Sequence, residues 1–136
     1  MLTVLEKADL LRKTSMFGDI PTPGLARVAA IANEATFVLN QMLYQEGTSA
    51  DSMFLLLEGE VELVRVTRKA QIDGQGQVVG ALALLAGKTY VESAVATRAT
   101  RVLQIDRQDF FDAMAEDFNV TRGMLKALAA MAAGTG

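Results

Sequence analysis

The most informative stretch of the chain runs Val79-Gly80-Ala81-Leu82-Ala83-Leu84-Leu85-Ala86-Gly87-Lys88-Thr89-Tyr90-Val91-Glu92-Ser93-Ala94. Its first half is apolar, and Gly80 lets the backbone come close to a neighbouring group because it has no Cβ. Residues 82–85 predict a short helical turn, and the exposed N–H groups at its start form a weak anion site. The second half carries a negative charge at Glu92 and a hydroxyl at Ser93. The stretch therefore predicts a turn whose backbone is suited to meet a ligand.

The composition limits the chemistry. The 136 residues fit one domain, 1–136, which is long enough to bury a hydrophobic core. The chain has no Cys and no His, which excludes Ser-His-Asp and Cys-His sites as well as His-ligated metals. The acidic residues of the middle region, Asp51, Glu58, Glu60 and Glu62, lack the spacing of a calcium-binding loop. We therefore expect no catalytic residue, no metal and no cofactor, and the chain is not predicted to be an enzyme.

The charge and the distribution of apolar residues limit the partners. The formal net charge is −3 and no basic cluster stands out, which argues against nucleic acid binding. No apolar run approaches the ~20 residues of a membrane span. The first residues lack the basic and apolar regions of a signal peptide. We expect a cytoplasmic protein that binds neither nucleic acid nor a membrane.

The two ends of the chain have helical patterns. A capping box, Thr3-x-x-Glu6, begins the first predicted helix, and Thr22 before Pro23 has the pattern of an N-cap for the second. Asp106 and Asn119 are the predicted N-caps of two C-terminal helices. The predicted helices span 4–14, 23–33, 107–117 and 120–133.

The middle of the chain reads as antiparallel β-structure over residues 35–105. An apolar run at 53–57 and a partly alternating run at 61–66 flank Gly59, which is typical of a hairpin. Further short strand-like segments occur at 35–39, 41–44, 78–79, 90–96 and 101–105. Many short strands at regular spacing favour a barrel or a sandwich.

The last predicted helix carries an apolar face formed by Leu125, Leu128, Ala129 and Ala132. This face either covers its own domain or forms a contact with a second copy or another protein. Both interpretations fit the sequence equally well.

Several motifs in this order resemble the cyclic nucleotide-binding domain family. Gln45-Glu46-Gly47 is similar to the family's Glu-Gly-Asp turn, and 54–61 is similar to its Tyr-x-Ile-x-x-Gly-x-Val hairpin. The opening stretch resembles the family's phosphate-binding cassette, and 103–110 resembles its strand-to-helix exit. The resemblance implies an α+β fold with N-terminal helices, an eight-stranded antiparallel β-roll of the jelly-roll type and C-terminal helices.

The resemblance also implies a site. The family's cassette runs Phe-Gly-Glu-Leu-Ala-Leu-Leu, then a loop, then Arg-Ser/Thr-Ala; its Glu accepts from the ribose hydroxyl and its Arg pairs with the cyclic phosphate. Here the Glu position holds Ala81 and the Arg position holds Glu92. The implied ligand-binding positions of this degenerate cassette are Gly80, Ala81, Leu82, Ala83, Glu92, Ser93 and Ala94.

Both replacements oppose nucleotide binding. Ala81 cannot accept a hydrogen bond, which costs on the order of 1–3 kcal/mol if a ribose hydroxyl is placed there. Glu92 would repel a phosphate, and at ~4 Å with an effective dielectric of about 20 a like-charge contact is worth roughly 4 kcal/mol. Lys88 is the one candidate substitute for the missing Arg; otherwise it is solvated or pairs with Glu92. Cyclic nucleotides are therefore not the expected ligands.

Three functions follow from these observations. The first is a regulatory or interaction module that acts as a homodimer or through a protein partner and does not bind cyclic AMP or cyclic GMP in the family's way. The second is a sensor that binds a cyclic nucleotide weakly, or a different neutral or cationic ligand, in the same pocket. A transcription regulator is the third, but we expect no DNA binding by this chain, which has no basic recognition helix and ends at Gly136.

Overall fold

The computed structural model describes residues 1–66 and 68–134, without the side chains of residues 68 and 71–73. The helices in these ranges are α1 Val4–Arg12, α2 Thr22–Ala30, α3 Ala81–Ala86, α4 Arg107–Glu116 and α5 Phe118–Ala132. The strands are β1 Ala32–Phe37, β2 Met42–Tyr44, β3 Ser52–Glu58, β4 Glu60–Arg65, β5 Arg68–Asp73, β6 Val78–Val79, β7 Ser93–Ala96 and β8 Thr100–Asp106.

The strands form two four-stranded sheets, in the orders β1-β8-β3-β6 and β2-β7-β4-β5. The β2–β7, β3–β6, β3–β8, β4–β5 and β4–β7 pairs are all antiparallel. Helices precede and follow the strands, which confirms the predicted fold class. Among the helices in the described ranges, none is long and apolar enough to cross a membrane.

The chain forms two compact units, Met1–Ala32 with Gln108–Gly136, and Asn33–Arg107. The predicted bounds of the β-roll, 35–105, fall within the second unit. That 1–136 form a single domain remains a prediction.

In the helical unit, the N-terminal prediction is confirmed in part. The Thr3 hydroxyl accepts from the Glu6 N–H and the Glu6 carboxylate accepts from the Thr3 N–H, as a capping box requires. Leu11 is fully buried, whereas Leu5 is exposed. The helix ends at Arg12 instead of residue 14.

Two predicted N-caps, Thr22 and Asn119, are wrong. Helix α2 begins at Thr22 with Pro21 as its N-cap, and the Thr22 hydroxyl instead accepts from Arg12. The helix ends at Ala30 because the chain enters β1 at Ala32.

Helix α5 begins before its predicted start at residue 120. Asp117 is its N-cap and accepts from the Asn119 N–H, so the predicted cap Asn119 lies inside the helix. At the start of α4, the Asp106 carboxylate accepts from Ser52 and Gln104.

The sequence pattern missed one strand of the β-unit. Strand β5 is largely polar, with Ala70 and Ile72 as its apolar residues, yet it pairs along the length of β4 from Glu60↔Asp73 to Arg65↔Arg68. The β4 backbone supplies hydrogen bonds that compensate for the weak propensity of this edge strand. Strand β3 has residues 53–56 buried in succession, as its continuous apolar run predicts.

Candidate ligand site at the cassette

The cassette folds as a short helix between two glycines. Gly80 has φ +83° and begins α3, and Gly87 has φ +67° and ends it. A Cβ on Gly80 would lie 3.2 Å from the Ser52 carbonyl oxygen, 3.2 Å from the Tyr90 ring and 3.4 Å from the Tyr44 ring. The predicted helical turn is confirmed, but the space left by the missing Cβ adjoins protein atoms.

The second half of the cassette pairs with the turn after β2. The Gly47 N–H donates to the Tyr90 carbonyl at 2.9 Å, and the Tyr90 N–H donates to the Thr48 carbonyl at 2.9 Å. The Ser93 hydroxyl accepts from the Glu46 N–H at 2.9 Å. Ser93 therefore holds this turn in place, a role that its predicted ligand contact did not include.

Two tyrosines stack beside Gly80. The ring centroids of Tyr44 and Tyr90 lie 3.9 Å apart with an interplanar angle of 19°. Tyr44 also stacks on Phe54 at 6.0 Å, and Phe54 meets Phe37 edge-to-face at 6.0 Å. Such ring pairs add about 0.5–1.5 kcal/mol each beyond the area that they bury. These aromatic rings therefore pack together beside the cassette and stabilise it.

The Tyr90 hydroxyl is fully engaged by the backbone of Ser52. It donates to the Ser52 carbonyl and accepts from the Ser52 N–H at 3.1 Å. Burial raises the pKa of Tyr90, and this effect outweighs the hydrogen bond from the Ser52 backbone, which lowers the pKa. Tyr90 therefore links the cassette to the start of β3 through these two hydrogen bonds.

The Tyr44 hydroxyl has a different environment. It is buried, and no group in the described part of the chain meets it in the geometry of a hydrogen bond. Burial raises the pKa of Tyr44 well above its usual range, and the nearby negative charge of Glu92 raises it further. The Glu92 carboxylate thus raises the pKa of the phenol both as a nearby charge and through a hydrogen-bonding interaction, although the two groups do not meet in the geometry of a well-formed hydrogen bond.

Glu92 faces a cation from the neighbouring strand. The register of β4 and β7 pairs Val61 with Ala96, Leu63 with Ala94 and Val64 with Ser93, so the next step sets Arg65 opposite Glu92. The Arg65 Nε lies 3.5 Å from the Glu92 Oε1, and the Glu92 side chain is 20% exposed.

No ion pair joins Lys88 to Glu92 in the described ranges, where Glu92 pairs with Arg65. The Lys88 N–H donates to the Ala83 carbonyl, and the Lys88 carbonyl accepts from the Ala50 N–H. That Lys88 substitutes for the missing Arg stays a prediction.

The remaining predicted site positions have unlike environments. Ala81 is 4% exposed and Ala94 is fully buried, whereas Leu82 is 59% exposed and Ala83 is half-buried. Tyr44 connects the two halves of the cassette, because its ring adjoins Gly80 and its hydroxyl lies near Glu92.

A cavity of about 370 Å³ lies beside Glu92. It is lined by Leu63, Arg65, Lys69, Ala70 and Glu92. Sequence reasoning missed both Tyr44 and Arg65 as members of the site. The alternation Val61-Glu62-Leu63-Val64-Arg65 sets Arg65 on the same face as Val61, but only the register shows that Glu92 is its partner.

Comparison with known families agrees with this geometry. Residues 34–117, more than half of the chain, match the family model of the cyclic nucleotide-binding domain. The chain belongs to the cyclic nucleotide-binding domain family. Its predicted resemblance is thereby confirmed. A comparison with curated protein sequences finds no match.

Solved structures share the fold of this cyclic nucleotide-binding domain. The N-terminal domain of a transcriptional regulator from Streptomyces coelicolor A3(2) has a TM-score of 0.81 at 22% identity, covering 94% of this chain and 95% of that one. A protein from Geobacter metallireducens GS-15 described as cyclic nucleotide-binding has a TM-score of 0.81 at 24% identity, covering 99% and 98%. The sensor domain of the transcriptional regulator DNR from Pseudomonas aeruginosa has a TM-score of 0.72 at 13% identity, covering 91% of each.

Proposed function

We propose that this cyclic nucleotide-binding domain is a regulatory or interaction module that does not bind cyclic AMP or cyclic GMP in the family's way. The observation that carries the proposal is the Arg65–Glu92 pair at 3.5 Å. A phosphate at the cassette would have to meet the Glu92 carboxylate, and the neighbouring Arg65 is already engaged by that carboxylate.

The packing around Gly80 and Ala81 supports the same conclusion. Ala81 is 4% exposed and offers no acceptor to a ribose hydroxyl. The Tyr44 and Tyr90 rings lie within 3.4 Å of the position of a Cβ on Gly80. These two rings therefore occupy the space beside Gly80.

Titration calorimetry with cyclic AMP and cyclic GMP tests the proposal. We expect no saturable heat in the micromolar range for the natural chain. Binding of either nucleotide at low-micromolar concentration would contradict the proposal, because it would require another group to supply the missing attraction.

The double variant Ala81→Glu with Glu92→Arg gives a more specific test of the same proposal. We expect no nucleotide binding by the double variant, because Arg at position 92 would face Arg65 and Glu at position 81 would have to enter a buried position. Gain of micromolar binding would instead mean that the pocket is intact and that only the two charges were lost.

A sensor for a different small molecule is the second candidate. The cavity of about 370 Å³ beside Glu92 and the unsatisfied Tyr44 hydroxyl favour it. A thermal-shift screen of small metabolites is the first measurement, because a ligand that binds only the folded state raises its stability by mass action.

We further propose that the module contacts its partner through α5. Leu125 is 57% exposed, Ala129 and Ala132 are exposed, and Leu128 is half-buried. These four residues recur at spacings of three and four, which sets them on one face of the helix. We expect the partner that covers this face to be a second copy of the chain.

A further inference from the structure

The Arg65–Glu92 pair has unused hydrogen-bonding capacity. Its N···O distance of 3.5 Å exceeds the roughly 2.7–3.2 Å of an N–H···O hydrogen bond. Within the described part of the chain, the two groups therefore meet as charges and leave donors on the guanidinium and acceptors on the carboxylate. Both residues line the same cavity.

Tyr44 places a further polar group near the Glu92 carboxylate. Its hydroxyl is buried without a hydrogen bond in the described ranges, although buried polar groups in proteins are nearly always paired. It lies near the Glu92 carboxylate. The Tyr44 phenol is therefore a polar neighbour of Glu92, but it is not one of the residues that line the cavity.

The walls of the cavity are apolar between these polar groups. Leu63 and Ala70 stand opposite each other in the β4–β5 register and line it. Lys69 also lines the cavity, but its pairing with Val64 sets it on the opposite face from Leu63. The volume of about 370 Å³ is within the range of roughly 300–1,000 Å³ for small-molecule sites.

We propose that this cavity binds a small α-amino acid with an apolar side chain. Its ammonium group meets Glu92, its carboxylate meets Arg65, and its side chain packs against Leu63 and Ala70. An anion alone would face the Glu92 carboxylate, and an amine alone would face the Arg65 guanidinium. A zwitterion satisfies both charges at once. The inference rests on the proposed function, in which Glu92 prevents the binding of a cyclic nucleotide.

Calorimetry with L-leucine and two matched analogues tests this assignment. Isopentylamine keeps the ammonium group without the carboxylate, and 4-methylpentanoate keeps the carboxylate without the ammonium group. We expect saturable binding of L-leucine and at least about tenfold weaker binding of each analogue. Absence of L-leucine binding, or equal binding of either analogue, would overturn the inference.

Variants locate the site. Glu92→Gln and Arg65→Met should each weaken L-leucine binding at least about tenfold, because each removes one of the two charges that the zwitterion meets. Glu62→Gln is the matched control, because Glu62 lies in the same strand on the opposite face from Leu63 and should leave the affinity unchanged. Loss of binding in Glu62→Gln alone would place the ligand elsewhere and refute the site. Thermal melts of every variant verify folding.

Cyclic AMP in the same series separates this inference from the proposed function. If neither cyclic AMP nor L-leucine binds, only the amino acid assignment fails. If cyclic AMP binds at micromolar concentration and L-leucine does not, both fail.

Discussion

Among single residues, the two tyrosines of the cassette region show how one side chain type serves two roles. The Tyr90 hydroxyl satisfies both backbone groups of Ser52, whereas the Tyr44 hydroxyl is buried without a hydrogen bond in the described ranges. Removing a paired hydroxyl leaves its partners unsatisfied, but removing an unpaired one does not. The two rings are otherwise stacked and similarly buried, so each serves as the control for the other.

Tyr90→Phe should lower the free energy of unfolding by about 1–3 kcal/mol, and Tyr44→Phe should leave it unchanged or raise it slightly. Urea denaturation with equal m-values for both variants measures the difference. A larger loss in Tyr44→Phe than in Tyr90→Phe would mean that the Tyr44 hydroxyl has a strong partner.

The same residues predict an alkaline limit of stability. The pKa values of Tyr44 and Tyr90 are both raised in the folded chain, chiefly by burial, while an unfolded tyrosine has a pKa of about 10. The contribution to stability is therefore complete below about pH 10 and is lost as the pH rises from there toward the folded pKa values.

Spectrophotometric titration measures this directly, because the chain has two tyrosines and no tryptophan. We expect little tyrosinate absorbance in the folded chain at about pH 10, and half-titration near that pH in urea. Reversible titration of one tyrosine near pH 10 with the fold intact would contradict the buried environment of that ring.

Among the structural elements, helix α3 has glycines with different surroundings at its two ends. The helix is bounded by Gly80 and Gly87, both at positive φ, where an L-residue costs roughly 1–2 kcal/mol. A Cβ at Gly87 would meet nothing within 4 Å, whereas a Cβ at Gly80 would press on a backbone carbonyl and two rings. A substitution at Gly87 therefore measures backbone strain alone, whereas the same substitution at Gly80 measures backbone strain and steric contact together.

Gly87→Ala should destabilise the fold by about 1–2 kcal/mol, and Gly80→Ala should cost at least about 1 kcal/mol more. Equilibrium unfolding of the two variants under identical conditions provides the comparison. Equal losses would show that the tyrosine rings move aside without cost and that the space at Gly80 is available to a ligand.

In the whole molecule, self-association through α5 is the prediction with the widest consequence. Leu125 is 57% exposed and belongs to the same face as Ala129 and Ala132. Leu125→Glu should weaken a dimer at least about tenfold, because a charge would be buried at its centre. Size-exclusion chromatography with light scattering measures the mass of the species at several concentrations.

Leu5→Glu is the matched control for this experiment, because Leu5 is a 78% exposed leucine on a different helix. It should leave the dimer unchanged. A natural chain that stays monomeric at high concentration would refute the dimer, and equal effects of the two variants would place the contact away from α5.

The family and most of the helices and strands were predictable from the amino-acid sequence, and the alteration of the cassette at two positions is a prediction from the same source. Capping motifs, Gly-centred turns and the apolar run 82–85 act through neighbours in the chain, so they can be recognised without a structure. Ala81 and Glu92 were identified in the same way, because a motif compares positions along the chain.

The partner of Glu92 and the environment of Tyr44 were decided only by the tertiary structure. Arg65 meets Glu92 because the β4–β7 register aligns residues far apart in the chain, and Tyr44 meets Gly80 and Tyr90 through packing across β2, β3 and the cassette. Strand β5 was missed for the same reason, since its backbone pairing with β4 outweighs its own weak propensity. Charge pairing and burial depend on distances in space, and periodicity along a strand determines a face but not what lies opposite it.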